Sequence, residues 1–235
     1  MGTRLFNIYG GIDDWHDTIN EDFYFSTIYA DKLVDPNEAW QVGYELVSLF
    51  NGARLIFGDT SLYGFQPVKL AAVLHNKVEV RAFESEERYA FLPPPPLSIT
   101  ERFSELDALG GDCPLKFLVI ATDHEDVYAI LKYGVGANSF AGLYKLMETV
   151  EHVARKSSIA IPDTVCPPRV RNDFTYSANA PHASRLEARH GLSNKKPAKA
   201  NTAMSLDEAS KFVCGLASHV LLQLGDRWAK QAGAC

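Results

Sequence analysis

At 235 residues and 46% hydrophobic content, the chain is long enough for one large domain or two modest ones and is not a disordered polymer. No stretch reaches the roughly 18 uncharged apolar residues of a spanning helix, and "MGTRLFNIYGG" lacks the apolar run and cleavage site of a signal peptide, so a cytoplasmic protein with no membrane partner is expected. A net charge of −6 argues against a general nucleic-acid binder.

The first ninety or so residues read as mixed α and β. "RLFNIYG" and "FYFSTIYA" are aromatic and β-branched runs of strand type, separated by the acidic "GIDDWHDTINED". Asp35-Pro36-Asn37-Glu38 predicts a helix start: Asp35 caps, Pro36 presets φ at the first helical position, and Glu38 completes a capping box. Ala39, Val42, Leu46 and Phe50 follow at helical spacing, with Trp40 and Val47 beside them, and "FNG" marks the stop. "VKLAAVLHNKVEVRAF" then alternates with period two, with a turn near His75-Asn76, and "ERYAFL" offers a third strand.

Pro93 to Pro96 end any ladder or helix and favour extended geometry, so the domain boundary is placed there. Beyond it "HEDVYAILKYG" has helical spacing and ends at Gly134, with Asp123 as its cap. "NSFAGLYKLMETVEHVARK" aligns Leu143, Leu146, Met147, Val150 and Val153 into an amphipathic helix. "LKFLVIAT" fits a buried helix or a strand, and "IPDTVCPPRVRND" reads as a Pro-rich loop. Ser205 and Glu208 form a capping box for a final helix carrying Phe212, Val213, Leu216, Val220, Leu224 and Trp228. The fold class expected is α+β. Residues 1–92 form a small mixed or antiparallel β-sheet domain with one helix and a sensing or binding role, 93–100 a connector, and 101–235 a helical-bundle domain.

Cys113, Cys166, Cys214 and Cys235 form no CxxC pair, so free thiols are expected. No Gly-rich phosphate loop, HExxH or GxSxG motif appears. His16 among Asp13, Asp14, Asp17, Glu21 and Asp22 lacks i,i+4 ligand pairing and reads as a solvated acidic loop, so neither metal nor cofactor is expected.

The charge is uneven. Between Cys166 and Ala200 stand Arg169, Arg171, Arg185, Arg189, Lys195, Lys196 and Lys199 against only Asp173 and Glu187, a basic island suited to a local anionic partner. Within it, "NAPHASRLEARHG" has two readings. In one, Asn179 caps a short helix, Arg189 and His190 favour its negative C-terminal end, and Gly191 stops it. In the other, Arg185 and His190 are a pair for metal-free RNA cleavage. His190 titrates near neutral pH and serves as general acid or base, while the permanently charged Arg185 stabilises the phosphorane formed when the RNA 2′-OH attacks. Arg189, Asn179, Lys195, Lys196 and Lys199 are then substrate contacts.

The order of "GLYKLMETVEHV", "RLEARHG" and "MSLDEASKFVCGLASHVLL" resembles the HEPN superfamily (higher eukaryote and prokaryote nucleotide-binding) over about the last hundred residues. Members often carry Arg, four to six residues, then His, and often serve as ribonucleases in toxin and antiviral systems. The position after the motif arginine, usually polar in active members, is Leu186 here. The same segments, with "YSANAP", also resemble a group of uncharacterised bacterial proteins. The superfamily resemblance implies a metal-independent endoribonuclease of toxin or antiviral-defence type acting on RNA, with a homodimer bringing two Arg/His sets together. The rival expectation is a non-catalytic binding or assembly module of a bacterial defence or regulatory complex, with a protein partner.

Overall fold

The computed structural model of the chain describes residues 4–13, 18–31, 33, 35–58, 65–75, 78–82, 97–109, 113–180 and 202–232. Two antiparallel hairpins lie in its first part. β1 (Asn7–Asp13) pairs with β2 (Thr18–Ser26), with a register shift between Gly10 and Ile12, and β3 (Ala72–His75) pairs with β4 (Val78–Ala82). The first hairpin runs further into the acidic stretch than composition suggests, since Ile12 pairs with Ile19 and Asp13 with Thr18. Segment 87–92, expected as a third strand, lies outside the described residues.

Seven helices are described, and together with the hairpins they make an α+β fold. α1 (Pro36–Phe57) starts at the expected place with Pro36 in the first turn, but the Asp35 carboxylate accepts the Asn37 N–H at 2.9 Å and the capping box expected through Glu38 does not form. It does not stop at "FNG". Gly52 lies inside the helix because α4 (Glu125–Val135) crosses there: a Cβ on Gly52 would collide with the Leu131 carbonyl, and one on Gly134 would come within 3.3 Å of the Gly52 backbone. The two glycines let the helix backbones touch, a role different from the helix stop inferred from the local pattern.

α2 (Ile99–Ala108) opens on a reciprocal capping box between Ser98 and Glu101, and starts inside the segment read as connector. α3 (Cys113–Ala121) resolves the ambiguous "LKFLVIAT" as helix, with Leu115, Phe117, Leu118, Val119 and Ile120 all buried. Apolar apart from Lys116, it belongs largely inside a core. α4 is not capped by Asp123. His124 takes the N-cap position with no side-chain cap bond, and the Asp123 carboxylate turns to Arg102, 2.7 Å away, and to the indole of Trp228.

α5 (Phe140–Lys156) buries the five-residue stripe read from its sequence. It ends in a left-handed turn in which Ser158 has φ 52°, the Ile159 N–H reaches the Ala154 carbonyl at 2.8 Å, and Arg227 donates to the Ser157 and Ser158 carbonyls. The stretch read as a Pro-rich loop turns helical at Pro168, whose fixed φ suits a first helical position, and becomes α6 (Pro168–Asn179). α7 (Leu206–Ala232) carries the expected Ser205–Glu208 box and buries Val213, Leu216, Val220, Leu224 and Trp228.

One continuous apolar core joins Leu5, Phe6, Leu46, Leu49 and Ile56, upstream of the proline run, to residues of α3, α4, α5 and α7 downstream. α1 packs on α3, α4 and α7. The segments on either side of the prolines therefore share a core instead of each having its own, because α1 is long and apolar enough to serve as a central helix. Among the described residues no helix is long and apolar enough to cross a membrane.

Candidate functional site

The basic segment is reached through α6. This helix is held to α5 by Arg171, whose Nε and Nη2 bond the two Glu151 carboxylate oxygens at 2.7 and 3.0 Å, a two-point pairing that fixes orientation as well as distance. Phe174, fully buried, has its ring centroid 6.3 Å from that of Tyr144 on α5 and 5.8 Å from that of Phe212 on α7. Three helices are thus clamped about one ring.

Asn179 is the last residue of α6 and its Nδ2 donates back to the Thr175 carbonyl at 2.9 Å, while the short helix it was expected to cap lies outside the described residues. The reason is local, since a helix end leaves carbonyls without intrahelical donors and a short amide reaches one of them. Its Oδ1 is buried and makes no hydrogen bond. Arg185, Arg189, His190, Lys195, Lys196 and Lys199 lie outside the described residues, so Asn179 is the one predicted site residue whose surroundings are on view.

The far end of the same segment returns to the same helix. The Thr202 N–H donates to Asp173 Oδ1 at 2.8 Å, and the Met204 N–H donates to Ser177 Oγ at 2.8 Å. The Ser177 hydroxyl in turn donates to the Asp173 carbonyl at 2.8 Å, so both anchors belong to one network. Residues 181–201 therefore leave from the C-terminal end of α6 and rejoin the chain alongside it. Sequence reading missed Asp173 and Ser177. Their spacing of four places them on one helix face, but nothing in the sequence says which backbone N–H groups they meet.

Chemistry elsewhere among the described residues is sparse. Cys166 and Cys214 are free thiols, and burial pushes each thiol pKa up, away from reactivity, with Glu151 adding to the effect at Cys166. Arg169 is 85% exposed and only 3.9 Å from Asp173, a solvent-screened contact. No group of three His, Cys, Asp or Glu side chains converges as a metal site among the described residues.

Among the described residues, the most buried ion pair joins α4 to α1. Lys132 of α4 bonds Glu45 Oε2 at 2.8 Å and Ser48 Oγ at 3.0 Å on α1, with the Glu45 side chain 3% exposed. Burial raises the Glu45 pKa and lowers that of Lys132, each opposed by the attraction of the other. This pair sits in the α1–α4 seam and ties two helices. The chain matches no protein-family model, no curated protein and no solved structure.

Proposed function

We propose that the protein is a metal-independent endoribonuclease of bacterial toxin or antiviral-defence type, HEPN-like in its C-terminal helices, acting in the cytoplasm as a homodimer. His190 serves as the general acid or base: it takes the proton of the RNA 2′-OH as that oxygen attacks phosphorus, or supplies one to the departing 5′-oxygen. Arg185 stabilises the charge that builds on the phosphorane oxygens. Arg189, Asn179, Lys195, Lys196 and Lys199 contact the RNA strand. The chemistry needs no cation.

The observation that supports this reading is the attachment of the Arg/His segment at both ends to α6, by the helical turn through Ala180 on one side and by Thr202 and Met204 on the other. A catalytic pair on a segment anchored at both ends loses less freedom on binding RNA than one on a free tail.

The test is cleavage of mixed RNA in EDTA by the protein and by its His190→Ala and Arg185→Ala variants. Chelator-resistant cleavage lost in both folded variants supports the enzyme. Equal cleavage in all three, or none in any, removes it. A stable partner recovered by pull-down from an inactive protein would favour a non-catalytic assembly module.

A further inference from the structure

Asn51 and Gly52 stand side by side in α1 for unrelated reasons. Gly52 is required by the crossing of α4, whose Leu131 carbonyl leaves no room for a Cβ. Asn51, 5% exposed, is a latch: its Nδ2 donates to the Val68 carbonyl at 2.7 Å and its Oδ1 accepts the Val68 N–H at 2.8 Å. One amide thus holds both main-chain groups of Val68. On either side of it, Arg54 donates to the Gln66 carbonyl at 3.3 Å and lies over the Phe65 ring, and the Leu70 side chain packs 3.2 Å from where a Cβ on Gly43 would stand. Residues 66, 68 and 70 therefore meet 54, 51 and 43 in reverse order, so this segment is a strap running antiparallel to α1. Together the two demands produce an Asn-Gly pair, the dipeptide that loses its side-chain amide most readily, because glycine puts no side chain in the way of its own backbone nitrogen.

We propose that Asn51 is a deamidation site gated by the fold: inert while α1 is helical, and converted to aspartate or isoaspartate when α1 opens, after which the latch on Val68 cannot re-form. In the reaction the Gly52 backbone nitrogen gives up its proton to hydroxide and attacks Asn51 Cγ. The Cγ–Nδ2 bond breaks, and the departing nitrogen takes a proton from water and leaves as ammonia. Water then adds to either carbonyl of the succinimide ring, giving aspartate or isoaspartate. The helix forbids the attack, since ψ near −42° holds the next nitrogen away from the side chain and its N–H is bonded to the carbonyl four residues back. The product cannot latch. A carboxylate has no proton to donate to the Val68 carbonyl, and it sets two oxygens face to face where donor and acceptor now stand 2.7 Å apart. Isoaspartate also lengthens the backbone by one carbon, next to the point where α4 leaves no room for a methyl group.

In the experiment the full chain is incubated at neutral pH in native buffer and in urea at a concentration that unfolds it, and conversion at Asn51 is followed by peptide mapping with mass spectrometry. Conversion is expected to be at least about a hundredfold slower in native buffer, in proportion to the small fraction of time that a buried helix interior spends open. Amide hydrogen exchange at Val68 is read in the wild type, Asn51→Ala and Asn51→Asp. It should speed by about tenfold in Asn51→Ala, which loses both latch bonds without adding charge, and by at least as much in Asn51→Asp. Equal conversion in the two buffers overturns the gate, and no conversion in urea overturns the site. Val68 exchange at the wild-type rate in Asn51→Ala overturns the latch. The same result in Asn51→Asp overturns its loss on deamidation, whereas an unfolded Asn51→Asp beside a folded Asn51→Ala supports that loss.

Discussion

The indole N–H of Trp228 donates to Asp123 Oδ2 at 3.2 Å, while Asp123 Oδ1 lies 2.7 Å from Arg102 Nη1. One carboxylate, at the junction of α3 and α4, thus ties α2 to the last turns of α7. Phe103 stacks on the Trp228 ring at 4.9 Å, which seals the contact. Burial works to raise the Asp123 pKa, but the bonds from Arg102 and Trp228 outweigh it and hold the carboxyl below its usual range. Asp123→Ala leaves a largely buried guanidinium and an indole N–H without this acceptor, and we expect a loss of about 2–3 kcal/mol, measured by denaturant unfolding. A loss within about 0.5 kcal/mol, typical of a surface change, would show that the contact is incidental.

Two glycines in long helices should respond in opposite ways to the same substitution. Gly52→Ala drives a methyl group into the Leu131 carbonyl of the crossing helix, where backbone must move, and we expect destabilisation of roughly 3 kcal/mol or more. Gly215, on α7, has nothing within 4 Å of a Cβ. Gly215→Ala should therefore stabilise by about 0.5–1 kcal/mol through helix propensity alone. Thermal melts of the two variants decide the matter, and equal effects would contradict the crossing geometry.

For Lys132 and Glu45, single and double replacements should differ. Lys132→Met strands a buried carboxylate and is expected to cost about 3–5 kcal/mol, whereas Lys132→Met with Glu45→Leu should recover most of that loss. The recovery is the diagnostic result. If the double variant is no more stable than the single one, the pair contributes through something other than mutual neutralisation.

Acid should release one contact at the N-terminus. The Ser98 backbone N–H and hydroxyl, followed by Arg4, hold the Glu101 carboxyl down at about 2. A folded-state pKa below the ordinary 4.5 means that the contribution is present above that value and fades as pH falls toward 2. The melting temperatures of wild type and Glu101→Gln should thus differ at neutral pH and converge through this window. A difference that stays constant down to acid pH would mean that the carboxylate charge plays no part.

Elements governed by their own periodicity could be read in advance, and those governed by a neighbour could not. α5 was legible because its five apolar positions fall on one stripe, and the start of α7 because Ser205 and Glu208 are both in the sequence. The end of α1 was not, because whether Gly52 stops a helix or admits another depends on α4, eighty residues on. Asp123 has the local look of a cap, yet Arg102 and Trp228, brought near only by folding, take its oxygens. The candidate site divides the same way. Arg185 and His190 are singled out by residue type and by their order among the helices and lie outside the described residues, whereas Asp173 and Ser177 act on backbone amides, which every residue but proline carries and no pattern flags.

The central position of α1 bears on how the protein is made. During synthesis this helix emerges with Trp40, Leu46, Leu49 and Ile56 uncovered, and its packing partners α3, α4 and α7 follow only later, α7 last of all. A ribosome that stalls near the proline run would release a sticky fragment with no interior to join, so the nascent chain should depend on chaperones until its final helix is complete.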